Sequence, residues 1–151
     1  MRPVVIINIE QSVAFVTNRT AYLFRRTFAE AMRARRVNLS PEELIVLALL
    51  WNQDGMRQGS LARYAIRDRT TLTRLLDGMV RKKLIRREPD PDDRRVVRTV
   101  LSGRGRRLEE KLQPMFQELR ASILDGVPER DITTMLRTLR RIQDNLNANG
   151  T

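Results

Sequence analysis

Residues 84–101 read as a strand, a short charged turn and a returning strand, set directly behind an amphipathic helix. Segments 84–88 and 96–101 are rich in the β-branched residues that a pleated surface favours. Between them Asp90, Pro91, Asp92, Asp93, Arg94 and Arg95 form a Pro-containing turn of mixed charge. Helix and hairpin stand together without a linker, and that juxtaposition narrows the fold more than any other feature of the chain.

Four helical segments surround this unit on the periodicity of their apolar residues. From about residue 11 to 36, Val13, Val16, Leu23, Phe24, Phe28, Ala31 and Met32 recur at helical spacing, with Arg25, Arg26, Arg33, Arg35 and Arg36 largely off the stripe. Ser40, Pro41 and Glu43 are an N-cap, a first-turn proline and a capping-box acid, opening a second helix that Asp54 and Gly55 end. Ser102 caps a fifth helix, in which Pro114 predicts a kink, and a sixth begins near Pro128. Residues 147–151 read as a frayed end.

Inside this frame a short third helix spans about 58–65, and Asp68 caps a fourth. Leu72, Leu75, Leu76, Met79 and Val80 fall at i, i+3, i+4, i+7 and i+8, which leaves Arg69, Thr70, Thr71, Thr73, Arg74, Asp77 and Arg81 on the opposite side. Two helices followed by a hairpin make a winged helix-turn-helix. The predicted class is therefore mainly α, with a two-stranded wing and long helices at both ends. We take the chain as one domain, with a DNA-reading lobe over 40–101 and dimerisation helices over 11–36 and 102–147. The terminal helices carry more apolar surface than so small a lobe can cover, and a homodimer disposes of it while presenting two reading heads.

Charge agrees with this reading. The net charge of +11 is concentrated: residues 57–107 hold 16 Lys or Arg against 6 Asp or Glu, and the rest of the chain 13 against 12. A local cationic excess suits a polyanion, because Lys and Arg on phosphates release condensed counterions. Of the 29 basic residues 26 are Arg; coding bias would raise that number but would not cluster it. The chain has no Cys and no His, which removes disulfides, thiolate sensors and the usual imidazole acid, base and metal ligand. No cofactor, metal site or enzymatic activity is expected. The run from Val4 to Ile7 is too short for a signal-peptide core, so a cytoplasmic protein is expected.

The residues just named carry a resemblance. The sequence from Asp68 to Asp77, the wing built on Leu84 to Arg87 and Asp90 to Arg95, and Leu101, Ser102 and Gly105 at the start of the fifth helix resemble the multiple antibiotic resistance regulator (MarR) family of winged-helix transcription factors. The flanking helices match in order and length. The resemblance implies a homodimer that binds a pseudo-palindromic operator and represses nearby genes, with Arg95 entering a minor groove. Two departures bear on turn geometry and base preference: Arg57 stands where many members have a capping Thr, and Ile66-Arg67 where many have Gly and an apolar residue. Many members are also released by small aromatic acids, and Tyr22, Trp51 and Phe116 are the residues expected to line such a space.

The expected DNA contacts are therefore Arg69, Thr70, Thr71, Thr73 and Arg74 on the reading helix, Lys82 and Lys83 on phosphates near its end, and Asp93, Arg94 and Arg95 on the wing. On the wing tip Asp93 can hold the Arg95 guanidinium extended towards a minor groove. The rival reading is an architectural DNA binder with little sequence discrimination, and a specific to non-specific affinity ratio near unity would select it. Operator sequence, regulated genes, effector identity and the direction of control are not legible.

Overall fold

The computed structural model describes residues 8–65 and 68–148. The apolar run at Val4 to Ile7, the Ile66-Arg67 turn and residues 149–151 lie outside them. The chain divides into two compact units, Met1–Lys111 and Leu112–Thr151.

In the first unit a 3-10 turn (Ile9–Gln11) precedes α1 (Val13–Ala34), whose N-cap Ser12 accepts the Phe15 N–H. The helix ends on Arg36, at a φ of 54°, with the Val37 N–H returning to the Met32 carbonyl at 3.0 Å. Such a left-handed closing residue satisfies the last carbonyls of a helix, and glycine is its usual occupant. Val13, Val16, Tyr22, Leu23 and Phe24 all remain exposed on α1. Next comes α2 (Pro41–Asn52), opened by a complete capping box in which Ser40 and Glu43 each bond the other's backbone N–H.

The remainder of this unit is β1 (Met56–Arg57), α3 (Gln58–Ala65), α4 (Arg69–Arg81), β2 (Ile85–Pro89), β3 (Val97–Leu101) and the start of α5 (Gly103–Ile123). The helix assignments match the sequence reading within a residue or two. The wing does not stop at two strands: β1 adds to it antiparallel, giving the order β1-β3-β2 with Arg57 opposite Arg98. Two residues carry no alternation pattern, so this strand exists only because the β3 edge is there to pair with.

Val46, Leu47 and Leu50 of α2, Leu61 of α3, and Leu72, Leu76 and Met79 of α4 form one core with Leu84, Ile85 and Leu101 at the root of the hairpin. Each such side chain stabilises the fold by about 1.5–3 kcal/mol relative to exposure. The start of α5 is locked onto this core. Ser102 Oγ donates to the Lys83 carbonyl at 2.6 Å and accepts the Gly105 N–H at 3.0 Å, while Trp51 Nε1 donates to the Gly105 carbonyl at 3.0 Å. Gly105 is required there, since a Cβ would run into the Leu84 carbonyl oxygen.

The second unit contains the rest of α5, with Pro114 inside it, and α6 (Glu129–Ala148), joined through Gly126 at a φ of 73°. Ile132 is buried, whereas Met135, Leu136 and Leu146 of α6 are exposed.

Candidate nucleic-acid interface

The reading helix α4 starts where Asp68 accepts both the Thr71 N–H at 2.9 Å and the Thr71 hydroxyl at 2.6 Å. Those bonds, the hydroxyl one foremost, hold the Asp68 carboxyl below its ordinary range, so the cap stays charged at the positive end of the helix dipole. Thr73 is half-buried and turned inward: its hydroxyl donates to the Arg69 carbonyl at 2.9 Å and accepts from Gln58 Nε2 at 3.1 Å, stitching α3 to α4. Arg69, Thr70, Thr71 and Arg74 are exposed. At the far end Lys82 Nζ lies 2.7 Å from Glu43 Oε2 and 3.2 Å from the Asn38 carbonyl, whereas Lys83 is exposed at a φ of 57°.

On the wing tip Asp93 grips Arg95 in a fork, Oδ1 at 3.1 Å from Nε and Oδ2 at 3.3 Å from Nη2. The Arg95 side chain is nonetheless 91% exposed, a charged rod held out from the protein. Arg95 lowers the pKa of Asp93 in return. Arg94 is exposed beside it. A groove of about 450 Å³ lies between α3, α4 and the wing, and Arg69 and Arg95 both line it. One arginine of the reading helix, Arg69, and one of the wing, Arg95, thus border a single groove.

Three partnerships were invisible to pattern reasoning. Arg87 Nη1 donates to Asp77 Oδ1 at 2.6 Å and so braces β2 against α4. Asp90, fully buried where β2 enters the wing turn, accepts Arg57 Nε and Arg98 Nε on one oxygen, each at 2.8 Å, and the Asp92 N–H on the other at 2.9 Å. Arg98 first, then the Asp92 N–H, hold its carboxyl far below the usual range, outweighing burial. Asp54 receives the Leu101 N–H at 2.8 Å and Arg106 at 2.7 Å, fixing the end of β3 to the α2–β1 turn. Only the Asp90 pair had a trace in the sequence, in the unusual Arg57.

Trp51 packs on the core and Tyr22 is exposed on α1, while Phe116 belongs to the second unit. A different cavity of about 300 Å³, between the α1–α2 connection and the start of α5, is lined by Arg36, Lys82, Arg104 and Lys111 over Val37, Leu39, Leu84 and Leu108. No group of acidic residues able to hold a metal occurs among the described residues.

The MarR family model matches residues 39–97, the helix-turn-helix and most of the wing. The transcriptional activatory protein BadR of Rhodopseudomonas palustris is 31% identical over 130 residues, covering 83% of this chain and 73% of that protein. The chain belongs to the MarR family. A MarR-family regulator from Silicibacter pomeroyi superposes with a TM-score of 0.78 at 28% identity, covering 96% of this chain and 97% of that one. CouR from Rhodococcus jostii RHA1, solved with p-coumaroyl-CoA, shares the fold at a TM-score of 0.81 and 23% identity, over 90% of this chain and 94% of that one. This MarR-family chain is accordingly a DNA-binding transcriptional regulator and not an enzyme. Among the described residues no helix is long and apolar enough to cross a membrane.

Proposed function

We propose that this regulator acts in the cytoplasm as a homodimer on a two-fold pseudo-palindromic operator, whose occupation represses the genes beside it. The observation that carries the proposal is the cationic groove between α4 and the wing, with Arg95 held 91% exposed by Asp93. In this reading Arg69, Thr70, Thr71 and Arg74 face the major groove, Arg94 and Arg95 the minor groove, and Lys83 a phosphate. Lys82 shares its charge with Glu43, so its contribution to phosphate binding is the weaker of the two. The exposed apolar residues of α1 and α6 supply the dimer contacts.

Control comes from a small organic anion. The 300 Å³ cavity offers Arg36, Arg104 and Lys111, beside the Glu43-paired Lys82, over an apolar floor, the lining that holds an acid by its carboxylate and covers its carbon body. We place the effector there in preference to a space lined by Tyr22, Trp51 and Phe116, since the indole N–H of Trp51 is already bonded to Gly105. That CouR was solved with an acyl-CoA is consistent with anionic effectors on this fold. The name of BadR favours a second reading, in which the bound dimer activates transcription.

A footprint of the purified protein on its own upstream DNA, with sedimentation of the free protein, tests the proposal. Protection of a symmetric site by a dimer is the expected result. Equal affinity for any sequence would favour the architectural rival, and a monomer at micromolar concentration would exclude the dimer.

A further inference from the structure

On the other side of α3 from the reading groove lies a second cleft, of about 400 Å³, between β1, α3 and β3. Arg57 and Arg98 are register partners of the antiparallel strands, so both leave the sheet on the face that borders it. Arg63, Ser60 and Tyr64 of α3 line it opposite them. We infer that this cleft is a binding site for a phosphoryl group, distinct from the groove that reads bases and from the effector cavity.

Charge is the first reason. Asp90 takes two guanidinium groups on a single oxygen, and Asp92 and Asp93 act on these arginines only through space. Arg63 has no carboxylate partner among the described residues. The acid at the opposite end of the lining, Asp54, already holds Arg106 and the Leu101 N–H. The cleft therefore keeps more positive charge than its own acids neutralise, and an anion between the arginines would relieve their mutual repulsion.

Donor geometry is the second. Arg57 and Arg98 each spend only Nε on Asp90, which leaves the Nη edges of both guanidinium groups without a hydrogen-bond partner among the described residues. Asp90 is fully buried and braced by the Asp92 N–H, so it orients both groups before any ligand arrives. Planar forks from two strands, with Arg63, Ser60 and Tyr64 also lining the cleft, offer more donors than the two oxygens of a carboxylate can accept. A tetrahedral phosphate has oxygens for all of them. The polar lining also lacks the apolar floor that marks the effector cavity.

The same chemistry is available from the DNA backbone and from a free phosphorylated molecule. The experiment uses the full chain and Arg63→Ala, a surface change whose folding is checked by circular dichroism. Inorganic phosphate and pyrophosphate are titrated at constant ionic strength in chloride, and affinity for operator and scrambled DNA is measured against salt. Arg63→Ala is expected to weaken phosphate or pyrophosphate binding about tenfold, the loss of one charge-assisted contact. If the backbone is the source, the same change weakens operator and scrambled DNA alike and lowers the salt slope by about 0.9. If a free ligand is the source, phosphate binding falls while the slope stays. Unchanged phosphate binding together with an unchanged slope overturns the inference, and does so whether or not an operator site is found.

Discussion

The Lys82 ammonium sits 2.7 Å from the Glu43 carboxylate, tying the residue that ends the reading helix to the capping box that opens α2. Glu43 is only 5% exposed, so this pair anchors a buried acid rather than decorating the surface. Lys82→Ala leaves that acid with the Ser40 N–H alone and is expected to lower stability by about 1–3 kcal/mol. Urea denaturation measures it. The same variant should alter the salt dependence of DNA binding less than Lys83→Ala does, and the opposite order would return Lys82 to the phosphate-contacting set.

Lys83 closes the reading helix in the left-handed region, its N–H on the Val80 carbonyl at 2.8 Å and the Leu84 N–H on Met79 at 3.0 Å. A side chain in that conformation costs about 1–2 kcal/mol that glycine avoids. Lys83→Gly should therefore raise the unfolding free energy by about 1 kcal/mol while weakening operator and scrambled DNA to the same extent. A destabilised Gly variant would contradict the backbone argument.

Arg95→Ala should cost about 1–3 kcal/mol of operator affinity at fixed salt and leave thermal unfolding unchanged, as a groove-inserted arginine requires. Asp93→Ala should cost less, since it removes only the fork that steers Arg95. Fluorescence anisotropy with labelled operator decides it. Undiminished affinity of the Arg95 variant would remove the wing from the reading surface.

Acid should loosen the wing turn through Asp90. Its folded pKa lies below the unfolded value of about 3.9, so its stabilising contribution is complete above that pH and is lost as pH falls towards the folded pKa. Asp90→Asn, which cannot take up that proton, should show a flatter fall in stability below about pH 4. Identical acid profiles for the two proteins would assign the acid sensitivity to other carboxylates.

Placing Asp at Leu139 or Ile142 tests the proposed dimer. Both are half-buried on α6, and an unpaired charge covered by a partner costs several kcal/mol. The variants are expected to sediment as monomers or to become insoluble, and to lose operator binding. Dimers of undiminished stability would move the interface away from this helix.

How far the sequence carried this reading varies by element. Ser40-Pro41-x-Glu43 and Asp68 set helix starts that the structure reproduces, because a cap acts within one turn and all its partners are near neighbours in the chain. The spacing of Leu72, Leu76 and Met79 likewise fixed the buried face of α4, and the two main wing strands followed from their β-branched runs. Family membership rested on the same local motifs.

What tertiary structure decided is what depends on atoms far apart in sequence. Lys82 looked like a phosphate ligand until a glutamate 39 residues away was found against it. Thr73 looked like a base reader until Gln58 met its hydroxyl. The short β1 strand appears only on the edge that β3 offers, and it alone explains why an arginine stands at position 57, opposite Arg98 and within reach of a carboxylate 33 residues on. Periodicity and capping report a side chain's direction relative to its own backbone. Which charge it meets there is set by the packing of other elements, and no local pattern encodes that distance.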